Sequence, residues 1–205
     1  MIDLLKKFFY MNFYHFIRFI KEYCWKSFMS AKDKKYDSSI IRPEMLLKDV
    51  RLRREHHSSQ RLRKVKAALI TLHTLETMAV NIYKFMITDE ESDLNRQLIA
   101  AMCNEMTHMQ DFQVKLYEFG WKPSKLRWAY WIVGFVFGYG SRLIGKKTIL
   151  KTGIWVETKA VHHYAELLKN VDWDEETRRI VEKDQSDENG HINRWKTLLK
   201  EMKLD

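Results

Sequence analysis

Two short motifs in this sequence place a carboxylate three residues before an imidazole. Glu105 and His108 form the first motif, and Glu188 and His191 form the second. On an α-helix this spacing puts both side chains on the same face, one turn apart. Carboxylate oxygens and imidazole nitrogens both bind divalent metals such as iron and manganese. Each motif is therefore a candidate pair of metal ligands.

A lone glutamate precedes each motif at nearly the same distance. Glu76 lies 29 residues before Glu105, and Glu157 lies 31 residues before Glu188. Apolar residues surround all of these side chains at helical spacing, which indicates that they face a core. Buried carboxylates are unfavourable, and four of them would repel one another unless metal ions neutralised them. The pattern predicts a dinuclear metal site.

One Glu-x-x-His motif alone is usually a solvated pair or a local cap. Two such motifs, each preceded by a glutamate at nearly the same distance, favour a metal site. Four glutamates and two histidines on four helices are the ligand set of ferritin-like di-iron and di-manganese carboxylate proteins. We therefore predict an all-α, ferritin-like four-helix bundle with one crossover connection. Its metal ligands, which are also the predicted catalytic residues, are Glu76, Glu105, His108, Glu157, Glu188 and His191.

The helices that must position these ligands can be located from the composition and from the residues that end helices. Two prolines and seven glycines are few for a chain of 205 residues, which favours helices with short connections. The bundle helices are predicted at 64–87, 93–119, 147–170 and 174–202. Gly120 and Pro123 mark the end of the second. Residues 128–141, which contain no charge, form the crossover, either as a buried connection or as one that dips into lipid.

The positive charge is concentrated in the first third of the chain. Residues 1–66 hold 17 Lys or Arg and 7 Asp or Glu, a balance of +10, whereas residues 67–205 hold 19 and 20, a balance of −1. A nucleic-acid-binding domain would carry the basic charge on its folded surface, so we predict no nucleic-acid partner. A basic, aromatic-rich leader favours attraction to anionic lipid instead.

The leader and linker together form a predicted extension, residues 1–63, ahead of a bundle domain at 64–205. Residues 2–29 mix aromatic residues with Lys and Arg, so they are too charged to span a bilayer and fit an interfacial helix. The alternative is a helix packed on the bundle or on a second subunit. Residues 30–63 are polar and predict a linker with a short helix after Pro43. His56 and His57, among Arg and Ser, are expected to be solvated rather than ligands.

Longer motifs carry a resemblance that covers about residues 72–191. They are L-H-T-L-E at 72–76, I-Y at 82–83, E-M-T-H at 105–108, W-I-V-G-F-V-F-G-Y-G-S-R-L-I-G-K at 131–146, V-E-T-K-A-V-H-H-Y at 156–164 and D-E-N-G-H at 187–191. These motifs resemble the demethoxyubiquinone hydroxylases of ubiquinone biosynthesis, the Coq-type di-iron hydroxylases.

The resemblance implies a di-iron monooxygenase that hydroxylates the ring of a polyprenyl quinol with O2, with NADH as the electron source. It implies the six ligands given above, and it places His163 and Tyr164 near the cluster. At helical spacing His162 and His163 cannot both face it. One departure is that the family's usual H-A-G-E is here His73-Thr74-Leu75-Glu76, so Leu75 fills space beside a ligand. Another is that the sequence ends at Asp205 without the closing hydrophobic segment of many members, so the leader is expected to supply membrane attachment.

Two other functions remain open from the sequence. One is a ferritin-like oxidase or peroxidase without an organic substrate, with iron or manganese in the site. The other is a non-catalytic bundle that binds a quinone or a biosynthetic partner at a membrane. The expected location is peripheral, on the cytoplasmic face of a bacterial inner membrane or on the matrix side of the mitochondrial inner membrane. A homodimer or another quinone-biosynthesis protein is an expected partner.

Overall fold

Five α-helices make up the part of the chain that the structure describes. The computed structural model describes residues 50–53 and 59–202, all within the unit Leu47–Asp205. The helices are α1 (Ser59–Met86), α2 (Asp93–Glu118), α3 (Arg127–Ile144), α4 (Lys146–Asn170) and α5 (Glu175–Glu201). These described residues contain no β-strand. The prediction of an all-α fold is confirmed.

The helix ends follow local sequence signals. The Ser92 side chain accepts a hydrogen bond from the Asn95 backbone N–H and caps α2, and Asp174 caps α5 in the same way through Thr177. Gly120 follows α2 with φ +70°, a conformation that favours glycine. The four bundle helices were predicted close to these bounds. The exception is α1, which begins at Ser59, so residues 59–63 of the predicted linker are helical.

The bundle consists of two helical hairpins that pack on each other. Helix α1 pairs with α2, α4 pairs with α5, and further contacts join α1 to α4 and α2 to α5. Two hydrophobic clusters fill the interior: one includes Leu72 and Phe112, and the other includes Ile82 and Leu98. On α1, Glu76 lies between the residues that enter the two clusters. The predicted ligands therefore occupy a polar layer between two apolar layers.

The crossover between the hairpins is itself a helix, α3, which lies against α1. A Cβ atom added at Gly134 would lie 2.6 Å from Asn81 Cβ, so only glycine permits this approach. The buried residues of α3 are Gly134, Gly138 and Ser141. Its large apolar side chains are mostly exposed, among them Trp128, Trp131, Ile132, Phe135, Val136, Phe137, Tyr139, Leu143 and Ile144. The crossover was predicted correctly. Of the two alternatives given for it, the exposed side chains exclude a buried connection.

Some predictions fall outside the described residues. These are the interfacial helix at 2–29, the short helix after Pro43, and the solvated pair His56 and His57. The division of the chain after residue 63 also stays a prediction. None of the helices in the described part of the chain has both the length and the apolar composition needed to cross a bilayer.

Candidate metal centre

The six predicted ligands meet in the polar layer of the bundle, one or two from each of its four helices. Glu76 comes from α1, Glu105 and His108 from α2, Glu157 from α4, and Glu188 and His191 from α5. All six are at least 98 % buried. Two sets of four could each hold a metal ion: Glu76, Glu105, His108 and Glu188 form one, and Glu105, Glu157, Glu188 and His191 form the other. Within each set, the donor atoms lie within 4.8 Å of one another.

Each imidazole points its Nδ1 atom at carboxylates from other helices as well as at its own. His108 Nδ1 lies 3.1 Å from Glu188 Oε1 and 3.8 Å from Glu76 Oε2. His191 Nδ1 lies 2.9 Å from Glu105 Oε1 and 4.0 Å from Glu157 Oε1. Each histidine therefore faces a glutamate of the opposite hairpin, and each possible metal site contains side chains from both hairpins.

The four glutamates divide into two kinds by what their oxygens contact. Both side-chain oxygens of Glu105 and of Glu188 are buried without a hydrogen-bond partner. In Glu76 and Glu157, by contrast, Oε1 accepts a hydrogen bond from a tyrosine, which leaves Oε2 for another ligand. Glu105 and Glu188 are also the two residues common to both four-residue sets. This arrangement suits two bridging carboxylates and two terminal ones.

Two buried tyrosines hold the terminal carboxylates from across the bundle. Tyr164 on α4 donates to Glu76 Oε1 on α1 over 2.6 Å, and Tyr83 on α1 donates to Glu157 Oε1 on α4. Trp195 Nε1 in turn donates to the Tyr83 hydroxyl over 3.0 Å. The role of Tyr83 was not predicted from the sequence. A signal was present in the sequence, since Tyr83 follows Glu76 at the same spacing of 7 at which Tyr164 follows Glu157.

Two aspartates on α5 face the outer nitrogen of His108, and sequence reasoning missed both. His108 Nε2 lies 3.1 Å from Asp187 Oδ2 and 3.7 Å from Asp184 Oδ1. A proton on Nε2, donated to Asp187, leaves the Nδ1 lone pair free for a metal and fixes the ring orientation. The signal in the sequence was the position of Asp187 directly before Glu188, with Asp184 one turn earlier on α5.

The charges in this layer strongly perturb one another. Burial raises the pKa of Glu76 and of Glu157 well above the usual range, and neighbouring carboxylates add to the effect. Burial also opposes the charged form of His191, but the nearby Glu105 and Glu188 carboxylates outweigh it and raise its pKa to about 9. Burial likewise opposes the charged form of Glu105, but the nearby His108 and His191 imidazoles outweigh it and hold its pKa down to about 2. Protons on some of these side chains therefore offset the negative charge of the layer, which bound cations could neutralise instead.

The residues present fit a pair of divalent metal ions. The atoms left without hydrogen bonds include His108 Nδ1, His191 Nδ1, Glu157 Oε2 and all four oxygens of the two bridging carboxylates. Buried polar atoms are normally hydrogen-bonded, so a cluster of possible metal-ligand atoms without hydrogen bonds requires an explanation. Two cations that share Glu105 and Glu188 would satisfy these atoms and neutralise the carboxylates. Oxygen-rich donors with imidazole suit iron or manganese.

A cavity of about 190 Å³ leads from the surface to this layer between α1 and α4. Its lining is mostly apolar and includes Leu75, Met78, Ala79, Trp155, Val156 and Ala160, with Glu76, Glu105, Glu157 and Glu188 at its inner end and Lys159, His162 and His163 also in its wall. Leu75 thus lines the space beside a ligand, where the sequence placed it. The His162 and His163 side chains, 73 % and 44 % exposed, both lie near Glu166.

The fold and the site together define a ferritin-like helical bundle whose buried glutamate and histidine clusters could hold metal ions. Comparison with known families then identifies the group within this class. The chain belongs to the family described as ubiquinone biosynthesis protein COQ7, whose model matches residues 63–202. This match covers all five helices except the first four residues of α1, and it confirms the family resemblance seen in the motifs.

A hydroxylase from Dictyostelium discoideum is similar to part of this chain. The chain is 28 % identical over 126 residues to the mitochondrial NADPH-dependent 3-demethoxyubiquinone 3-hydroxylase of Dictyostelium discoideum. The match covers 59 % of this chain and 58 % of the length of that relative. The chain therefore spans less than two thirds of the length of this relative.

Proposed function

We propose that this protein is a di-iron monooxygenase that hydroxylates the ring of a demethoxyubiquinone-type polyprenyl quinol. One atom of O2 replaces a ring hydrogen as a hydroxyl group, and the other leaves as water with two electrons and two protons. NADH is the proposed electron source, and NADPH is the alternative named for the Dictyostelium relative. Support comes from the family match and from the buried carboxylate and histidine layer.

The side chains of this chain have distinct tasks in that reaction. Glu76, Glu105, His108 and Glu188 would hold one iron, and Glu105, Glu157, Glu188 and His191 would hold the other. Bound iron would supply the reductive activation of O2. Two buried tyrosines keep one oxygen of each terminal carboxylate engaged, so that the other oxygen faces the metal. The apolar cavity wall would exclude water while it holds the ring against the carboxylate layer.

The cavity is the observation that favours this function over a ferritin-like oxidase. An enzyme that oxidises only iron or peroxide needs access for small ions and molecules. Here the metal ligands form the inner end of a mostly apolar cavity whose walls include Leu75, Met78 and Trp155. Apolar walls with a few polar groups at one end are typical of a site for an organic ligand. A planar quinol ring fits that description.

We further propose that α3 attaches the protein to an anionic membrane surface. Its outward face carries exposed aromatic and aliphatic side chains. Exposed basic residues lie before and after this face along the chain: Lys122, Lys125 and Arg127 at one end, and Arg142, Lys146 and Lys147 at the other. Apolar side chains flanked by cations suit the headgroup layer of a bilayer that contains anionic lipid. Co-sedimentation with such vesicles should weaken in Trp131→Ala and at high salt.

The catalytic proposal is tested by anaerobic reduction of iron-loaded protein followed by addition of ¹⁸O2 and a short-chain demethoxyquinol. We expect one ¹⁸O atom in the ring of the product, measured by mass spectrometry. Glu157→Ala should abolish this product because it removes a terminal ligand. Glu182→Ala on the surface of α5, whose side chain is 50 % exposed, is the control and should keep full activity.

Two results would overturn the proposal. Oxygen consumption without a labelled ring would indicate the oxidase function instead. Binding of the quinol by Glu157→Ala and by the unmodified protein, with no turnover by either, would indicate a non-catalytic quinone-binding bundle.

A further inference from the structure

The cavity that reaches the metal ligands is too small for a complete polyprenyl quinol. Its volume is about 190 Å³, whereas pockets that enclose whole drug-sized ligands measure roughly 300–1,000 Å³. Under the proposed function, the cavity therefore has room for the ring, and the tail must lie outside it. The question is which way the tail leaves.

The cavity wall on α4 has an apolar part and a polar part. Trp155 lines the cavity and is 50 % exposed, so its ring extends from the cavity to the surface. Lys159 and His162, one and two turns further along α4, supply the polar part. A hydrocarbon chain that covered these polar groups would remove them from water at a cost in free energy. The apolar part is the favourable exit.

Trp155 continues directly into the exposed face of α3. Its ring stacks on Phe137 with the ring centroids 5.5 Å apart and the planes at 20°. Phe137 is 40 % exposed, and Val133 lies on the same side of α3, four residues earlier. Apolar side chains therefore lead from the cavity, through Trp155, to Phe137 on α3.

We infer that Trp155 is a positioning residue for the substrate tail, which leaves the cavity over its indole ring and lies against Phe137. This inference rests on the proposed function and adds a selectivity to it. The enzyme distinguishes quinols with an isoprenoid tail from quinols without one, and it does so through Trp155 at the edge of the ring cavity and Phe137 beyond it.

The test compares two demethoxyquinols in membrane-free buffer, one with a single isoprene unit and one with a methyl group in its place. For the isoprenyl substrate, Trp155→Ala should raise KM about tenfold, the change expected when an aliphatic segment loses an aromatic contact. The kcat for the isoprenyl substrate should change little, and KM for the methyl substrate should rise by clearly less, since Trp155 lines only the edge of the ring cavity. Trp155→Phe should restore most of the affinity, and Phe137→Ala should raise KM for the isoprenyl substrate alone.

Trp131→Ala is the matched control. Trp131 is also exposed, at 43 %, and stacks on Phe135 of α3, but it is not among the residues that line the cavity. It should leave KM for both substrates unchanged. Equal KM changes for the two substrates in Trp155→Ala, or no change in both Trp155→Ala and Phe137→Ala, would overturn the tail path while leaving the hydroxylase intact. Failure of the unmodified protein to hydroxylate either quinol would instead refute the proposed function.

Discussion

The two buried tyrosines offer a comparison in which similar substitutions should have unequal effects. Tyr164→Phe and Tyr83→Phe each remove one hydroxyl group from the same layer of the bundle. Burial and the nearby carboxylate charges raise the pKa of both tyrosines well above the usual value, so each hydroxyl keeps its proton and donates. Their networks differ, however. The Tyr164 hydroxyl bonds to Glu76, whereas the Tyr83 hydroxyl bonds to both Glu157 and Trp195.

The expected magnitudes follow from the number of buried groups that lose a partner. Tyr164→Phe leaves one oxygen of Glu76 unsatisfied, which should lower the free energy of unfolding by about 1–3 kcal/mol. Tyr83→Phe leaves both an oxygen of Glu157 and the Trp195 N–H unsatisfied, so its cost should be roughly 2–5 kcal/mol. Both variants should also weaken metal binding by about 10–100-fold, because each loosens a terminal ligand.

Urea unfolding followed by circular dichroism measures the stability difference, and metal titration measures the affinity. Both are best done on the metal-free and the iron-loaded protein, since bound metal adds to the free energy of unfolding. Tyr117→Phe is the control, because Tyr117 is 52 % exposed and lies on α2 outside the site. It should change stability by less than about 0.5 kcal/mol.

A Tyr83→Phe variant that is no less stable than Tyr164→Phe would refute this reasoning. It would mean that the Trp195 N–H finds another acceptor or that the bond to Glu157 carries no net free energy. Unchanged metal affinity in both variants would show that the tyrosines do not orient the terminal carboxylates.

Three further predictions concern the metal, the helix caps and the crossover. Chelation should lower the thermal unfolding midpoint, and added Fe²⁺ or Mn²⁺ should restore it. The expected gain in the free energy of unfolding is about 2.7 kcal/mol at a metal concentration 100 times Kd. An unchanged midpoint would contradict the metal site. Burial opposes the charged form of Asp174, but hydrogen bonds from Thr177 and Arg53 lower its pKa to about 2. The ionised Asp174 therefore stabilises the fold at pH values above the usual pKa of 3.8, and this stabilisation is lost as the pH falls towards 2. Asp174→Ala should therefore cost about 1 kcal/mol at pH 7, and urea unfolding should show the difference shrink in acid. Gly138→Ala should destabilise the protein by roughly 1–3 kcal/mol in urea unfolding, since its Cβ would collide with the Ile82 carbonyl on α1, whereas Gly140→Ala meets open space and should not.

Much of the metal centre was predictable because its signals are local. A spacing of three residues fixes the relation of Glu105 to His108 on any helix, whatever surrounds it. The apolar residues at helical spacing around Glu76 likewise indicate burial before any packing is known. The ends of α2 and α5 were readable for the same reason, since Ser92 and Asp174 act on backbone groups within three residues.

Which glutamates belong to both four-residue sets and which belong to one could not be obtained in this way. The glutamates that belong to one set are those that Tyr83 and Tyr164 reach from 74 and 88 residues away. The contact of Asp187 with His108 spans 79 residues. Such pairs form only when the rotation and axial shift of one helix against another are set, and many packings share the same helical stripes. The sequence left open whether the apolar side chains of α3 are buried or exposed for a related reason, because its glycines decide which side meets α1.

The sequence by itself determined that four helices would each carry acidic or imidazole side chains on a buried face, since periodicity is a property of a single helix. The tertiary structure decided how those faces meet. It assigned one oxygen of each terminal glutamate to a tyrosine on the opposite hairpin, and it opened a cavity between α1 and α4 beside the ligands. Both features arise from the packing of whole helices, which no short stretch of residues specifies.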